Sequence, residues 1–176
     1  RALSALRDSG QDERTLVVFT SDHGDMDAAH RLEHKSTFYE EACRIPLIVR
    51  PPGVRRAARV EARLVSNGLD LLPTFCEYAG APVPAAAGGR SLRPLIEGRS
   101  VPWRAWVPVE TAICRGVVTD RFKYARYDVG ARAEQLTDLM ADPHEMRNHL
   151  DEWEGRSELE NLRNYYREAF GPAGEA

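Results

Sequence analysis

Long apolar runs, a surplus of either charge and paired cysteines are all scarce in this chain. No stretch approaches the roughly 18 apolar residues of a membrane-spanning helix, so no membrane partner is expected. The net charge is only −3, and the Lys and Arg residues are scattered without interleaved aromatics. Nucleic-acid binding favours a basic stripe, so no nucleic-acid partner is expected either. The three cysteines, Cys43, Cys76 and Cys114, are odd in number and form no CxxC pair. They read as reduced small hydrophobes. The chain opens at Arg1 rather than Met and shows no signal peptide. Its compartment and oligomeric state therefore stay open.

What is present is ordinary globular composition, 43% apolar and 29% charged over 176 residues. That is enough for one core and a small second layer. "RALSALRDSG" spaces apolar residues for a helix that ends near Gly10. "TLVVFT" is apolar without alternation, which suits a strand covered on both faces, as in a parallel sheet. "STFYEEACR" predicts a short helix and "IPLIVR" a second buried strand, with Pro46 at its start. "PPGVRRAARV" reads as a surface loop, and "VEARLVSNGL" as a short strand and turn. "DLLPTFCEYAG" predicts a helix capped by Asp70, with Pro73 in the first turn and Gly80 at the end.

The texture changes after the Ala-, Pro- and Gly-rich stretch at residues 81–91. "VPVETAICRGVVT", "RFKYARYDVG" and "EQLTDL" alternate partially and predict an antiparallel meander. "SELENLRNYYREAF" predicts a closing helix. Ser157 and Glu160 suit a capping box, and Leu159, Leu162, Tyr166, Ala169 and Phe170 form its apolar stripe. The expected class is α/β: the edge of a larger sheet, then a small antiparallel sheet with a packed helix. The expected division is residues 1–80 as the end of an α/β domain, 81–100 as a linker and 101–176 as a subdomain. Two parallel-type strands are too few for an α/β core, so an N-terminal part of that domain is expected beyond this chain.

The costly chemistry lies just after "TLVVFT". From Asp22 to Lys35 fall three Asp, three His and one Lys. Ligands of open α/β sheets sit at the C-terminal ends of strands. Asp22 and His23 both reach one divalent cation if the backbone turns sharply, and Gly24 permits such a turn. Asp oxygen suits calcium or magnesium, and a His nitrogen widens the choice to manganese or zinc. A Lys ammonium at position 35 suits the remaining oxygens of a tetrahedral anion. A nearby His suits proton donation to a leaving oxygen. An Asp-His-Gly turn also suits a plain helix cap, and a charged loop is often only solvated. Arg115, Arg121, Lys123 and Arg126 read as solvated surface charges rather than a polyanion site. Asp142, Pro143 and Glu145 read as a turn and helix start rather than a site.

"TLVVFTSDHGDM" followed by "EHKSTFYEEACRIPLIVR" resembles the second conserved block of the sulfatases, in the alkaline-phosphatase superfamily. "LVSNGLDLLPTFCEYAG", "GRSLRPLIEG", "VVTDRFKYARY" and "EQLTDLMADPHEMRNHL" then follow in the family's order. The resemblance spans roughly residues 1–170. It implies that Asp22 and His23 bind the divalent metal, usually calcium, and that Lys35 contacts the substrate sulfate. It also implies a catalytic role for His30, while His34 is a loop residue beside the substrate. Thr37 and Tyr39 would fix the loop. Arg31 departs from the pattern, standing where the family often has Gly.

A second departure is larger. The nucleophile of sulfatases is a formylglycine made within a C/S-x-P/A-x-R motif, and none of the three cysteines lies in one. The acidic pair that completes the family's metal site is absent as well. The resemblance therefore implies the C-terminal part of a sulfatase, acting on a sulfated small molecule or carbohydrate and inactive by itself. The alternatives are a phosphonate or phosphoryl ester hydrolase of the same superfamily, or a non-catalytic remnant binding an anion or a partner.

Overall fold

The computed structural model describes residues 1–54 and 59–171. The chain divides into two compact units, Arg1–Asp22 with Pro46–Trp103, and His23–Ile45 with Arg104–Ala176. The class is α/β, with a four-stranded antiparallel sheet and helices. No helix among the described residues is long and apolar enough to cross a membrane.

In the first unit, helix α1 (Ala2–Asp8) leads to strand β1 (Val17–Thr20), and β2 is Leu47–Arg50. The two strands pair antiparallel, with Val17 opposite Arg50 and Thr20 opposite Leu47. This corrects the parallel, doubly buried reading. Phe19 and Ile48 face each other in register, yet are 62% and 63% exposed. An unbroken apolar run specifies burial on neither face nor strand direction, which pairing partners decide. Arg50 bonds the buried Asp12 at 2.7 Å, tying the strand edge to the turn before β1.

Helix α3 runs over Asn67–Ala79, one turn earlier than the sequence suggests. Ser66 is its cap, its side chain accepting from the Leu69 N–H. Asp70 lies inside the helix, wholly buried, and accepts from the backbone N–H of Ser66 and of Arg90 at 2.8 and 2.9 Å. Pro73 therefore falls in the helix interior, where its ring removes a donor. Thr74 donates to the Asp70 carbonyl and accepts from the Leu92 N–H, both within 2.8 Å. Together Asp70 and Thr74 fasten residues 90–92 and the short helix α4 (Arg93–Ile96) to α3. Gly80 ends α3 in the left-handed conformation, as expected. No strand forms in the described residues between β2 and α3, and residues 55–58 of the expected surface loop lie outside the described residues. The Trp103 indole N–H holds the Leu64 carbonyl there at 2.7 Å.

The second unit contains the predicted meander: β3 (Val107–Glu110), β4 (Cys114–Val118), β5 (Phe122–Tyr127) and β6 (Glu134–Asp138), in that spatial order. Alternation gives its two faces different tasks. Val117, Phe122, Tyr124 and Leu136 pack with Leu159, Leu162 and Tyr166 of α6 (Ser157–Phe170). The helix stripe is as predicted, but the capping box does not form: Arg156 holds the cap position without a side-chain bond, and Ser157, already in the first turn, donates to Glu158. The short helix α5 (Leu150–Trp153) precedes it, and Trp153 meets Phe122 edge to face. On the opposite sheet face, Cys114 and Ala125 pack against Phe38. Gly116 has no side chain because a Cβ there would stand 2.7 Å from the Phe38 ring. The loop that holds the charged cluster is therefore the second cover of this sheet.

Candidate functional site

His23 and Lys35 are twelve residues apart in sequence and meet in space. The Lys35 Nζ lies 2.5 Å from His23 Nε2. The other ring nitrogen, Nδ1, is 2.6 Å from the Gly24 carbonyl oxygen. A carbonyl only accepts, so Nδ1 carries the proton and Nε2 presents its lone pair. That tautomer is the one a His needs to ligate a cation through Nε2, with the backbone carbonyl orienting the ring. The ammonium of Lys35 already occupies that lone pair as a cation would.

Gly24 serves differently from expectation. It is not among the glycines with positive φ. A Cβ at this position would overlap the Glu41 carbonyl oxygen, and the Gly24 N–H donates to the Ala42 carbonyl at 2.8 Å. Close approach of two backbones, not turn geometry, requires glycine here.

Between these two residues the backbone is strained. Asp27, Ala28, His30, Arg31 and His34 all have φ between 43° and 71°. Non-glycine residues in this region cost on the order of 1–2 kcal/mol each and cluster at functional sites. The buried Met26 anchors the loop from below, its N–H donating to the His34 carbonyl at 2.8 Å. Arg31, with φ 60°, holds the conformation that the glycine of the resemblance would adopt freely.

His30 is built into a second cluster. Its ring stacks on Tyr39 at 4.0 Å and 10° between planes. Its Nε2 lies 3.8 Å from a Glu41 carboxylate oxygen. Tyr39 and Glu41 thus orient His30, a role the sequence does not announce, although both lie in the quoted stretch. The His34 side chain is exposed and Lys35 is exposed too.

Asp22 closes the strand-end segment of the first unit, where its side chain accepts from Ser21 at 3.3 Å. Asn67, at the start of α3, donates to the carbonyls of Ser21 and Asp22 at 2.8 and 3.2 Å. Sequence reading missed Asn67, because it placed the helix cap at Asp70 and left Asn67 in the turn before it. Among the described residues, no group of three or more His, Cys, Asp or Glu is gathered to hold a metal ion. Each residue by itself brings a donor type that suits a divalent cation: Asp22 a hard oxygen, His23 an imidazole with its lone pair on Nε2.

The arginines read as solvated are engaged with carboxylates: Arg115 with Glu110, Arg121 with Asp138, and Arg126 with Glu134. Lys123 is different, being buried. All three cysteines are free thiols. Burial pushes the Cys43 thiol up to about 11, so it is no nucleophile at neutral pH.

The sequence profile of the family described as N-sulphoglucosamine sulphohydrolase, C-terminal, matches residues 28–169. A delta 4,5-hexuronate-2-O-sulfatase of Bacteroides thetaiotaomicron is 37% identical over 157 residues, covering 83% of this chain and 32% of that protein. A protein solved in complex with its substrate, D-glucosamine-2-N,6-O-disulfate, superposes with a TM-score of 0.83 at 30% identity, over 96% of this chain and 36% of the other. A phosphonate monoester hydrolase of Silicibacter pomeroyi superposes with a TM-score of 0.77 at 26% identity, over 96% of this chain and 36% of the other. The chain thus spans about a third of the length of these proteins.

Proposed function

Because the chain belongs to the sulfatase family, through the C-terminal region of the N-sulphoglucosamine sulphohydrolases, we propose that it is the C-terminal part of a metal-dependent carbohydrate sulfatase. The observation that carries this reading is the His23–Lys35 pair at 2.5 Å, a neutral imidazole lone pair beside an ammonium. One group suits a metal cation and the other an anion, and a sulfate ester bound at a divalent metal needs both.

On this reading, Asp22 and His23 supply two donors to the metal, calcium in keeping with the family. The metal would neutralise charge on the sulfate oxygens. The nucleophile, a formylglycine, would come from outside these 176 residues. Lys35 binds a sulfate oxygen as a point charge and holds it as negative charge grows. His30, held by its stack on Tyr39 and lying beside Glu41, would be the group that passes a proton to the leaving alcohol oxygen. His34 stands on the same loop, where an exposed side chain reaches a sugar hydroxyl. Residues 1–80 would complete the catalytic α/β domain, 81–100 link, and 101–176 form the C-terminal subdomain.

A second reading, cleavage of phosphonate monoesters, is favoured by the likeness to the Silicibacter enzyme. The test is an assay of the full-length protein on a sulfated glucosamine and on an aryl phosphonate monoester, with calcium and with a chelator. Calcium-dependent release of sulfate, at a higher kcat/KM than phosphonate cleavage, supports the first reading. Preference for the phosphonate overturns it in favour of the second. No turnover of either ester favours a non-catalytic remnant.

A further inference from the structure

A lysine and two glutamates lie beneath the loop that carries Lys35. Lys123, on β5, is 2% exposed, and Glu145 is 4% exposed. The Lys123 Nζ lies 2.9 Å from a Glu145 carboxylate oxygen and 3.3 Å from one of Glu40. The second Glu145 oxygen accepts the backbone N–H of Glu40 at 2.5 Å. Glu40 opens the short helix α2 (Glu40–Cys43), whose cap residue, Tyr39, offers no side-chain bond. A carboxylate 105 residues downstream therefore caps the helix. Lys123 also stands over the Phe38 ring, 5.0 Å from its centroid.

Two features argue that this arrangement is selected rather than incidental. A buried ion pair is costly to desolvate, and an apolar pair of similar volume would serve stability as well or better. Glu145 also adopts φ 52°, a left-handed conformation that disfavours a residue with a Cβ. The chain accepts strain and desolvation together to set one carboxylate on one backbone N–H.

That N–H is one of three fastenings at alternate residues. Thr111 donates its hydroxyl to the Ser36 carbonyl at 2.9 Å, and the Tyr127 hydroxyl accepts the Phe38 N–H at 3.4 Å. Residues 36, 38 and 40 are thus bound in turn to the β3–β4 turn, to the end of β5 and to the segment after β6, while Tyr39 between them stacks on His30. Lys35 stands immediately before the first fastening.

We propose that Lys123 and Glu145 are positioning residues, a buried ion pair that splints the segment 36–43 to the C-terminal sheet and so fixes the reach of Lys35. The proposal rests on the sulfatase reading only for what Lys35 meets. Neither residue touches substrate; both act through Glu40. The role gives the C-terminal sheet a function in catalysis without any residue of its own in the site.

The test joins hydrogen exchange with turnover in the full-length protein. Glu145→Ala removes both the counter-ion and the acceptor. Its expected result is exchange at least tenfold faster at the amides of residues 38–44, with β5 amides unchanged. A fall in kcat/KM of about tenfold or more on a sulfated sugar accompanies it. Lys123→Met/Glu145→Gln keeps an acceptor for the Glu40 N–H and leaves neither member of the buried pair charged by itself, while Glu40 keeps Arg44 at 3.7 Å, so it covers the case in which Glu145→Ala does not fold. Its expected result is the same pattern, reduced in size. Arg121→Met, which breaks the sheet's other ion pair with a buried carboxylate, lowers the melting temperature but leaves loop exchange and turnover as they are. Wild-type loop exchange in the double variant, or an equal loss of turnover in Arg121→Met, overturns the proposal. A faster-exchanging loop in a protein that turns over no ester would support the splint and refute the sulfatase reading.

Discussion

The two sheets of this chain are finished to different degrees. β3–β6 has both faces covered, one by α6 and the other by the loop around Phe38. β1–β2 is a two-stranded ribbon with Phe19 and Ile48 open to solvent. A two-stranded ribbon is marginal alone, whereas four strands with a helix are self-sufficient. The difference teaches where stability and chemistry separate. The second unit carries its own core and presents His23, His30 and Lys35 on that core's second cover. The first unit presents Asp22 at the end of a strand that still exposes apolar surface.

The largest expected effect strikes the finished sheet. Leu136→Ala removes a fully buried side chain between β6 and α6 and costs about 2–5 kcal/mol in urea unfolding. A loss under roughly 0.5 kcal/mol would mean that this core is not where the unit's stability lies.

A smaller effect concerns pH. The Arg121 side-chain hydrogen bonds hold the Asp138 carboxyl below its usual 3.8. Stability from a depressed carboxyl is present above its unfolded pKa and is lost as pH falls through the lowered folded value. The melting temperature of Asp138→Asn is therefore lower than wild type near pH 6, and the gap narrows toward about pH 3. A gap that widens on acidification contradicts the assignment.

Arg31→Gly moves the other way. Glycine accepts the left-handed backbone without strain, so the variant gains up to about 1 kcal/mol, less the entropy of a freer unfolded chain. Destabilisation beyond about 1 kcal/mol would show that the Arg31 side chain itself holds the loop.

The smallest effect belongs to the unfinished ribbon. Phe19→Ser in this chain changes stability by no more than about 0.5 kcal/mol, since exposed positions contribute little. The same substitution in the full-length protein sharpens the comparison. A cost of about 2 kcal/mol or more there means that another part of the protein covers Phe19.

What the sequence disclosed follows its local signals. The meander and α6 were legible because alternation and a 3.6-residue stripe are local patterns. Free thiols were legible from count and spacing. The direction of β1 and β2 was not, because "TLVVFT" and "IPLIVR" carry no alternation and strand partners are non-local. The start of α3 was misplaced because Asp70 looks like a cap from its neighbours alone. Its true partners, the N–H groups of Ser66 and Arg90, include one twenty residues away. Within the site, the cluster from Asp22 to Lys35 stood out by density, and the meeting of His23 with Lys35 agrees with it. Lys123 and Glu145 were read as surface charge and turn. Their partnership is invisible in sequence, because a lysine on a strand looks solvated until something covers that face.

The central claim is that this loop is one wall of a sulfate site, and Lys35 is its most exposed commitment. The most direct measurement is kcat/KM of Lys35→Ala in the full-length protein on a sulfated glucosamine, alongside its calcium content. The account predicts a fall of about a hundredfold or more, as for loss of one charge-stabilising donor, with calcium retained. Turnover at the wild-type level would contradict it.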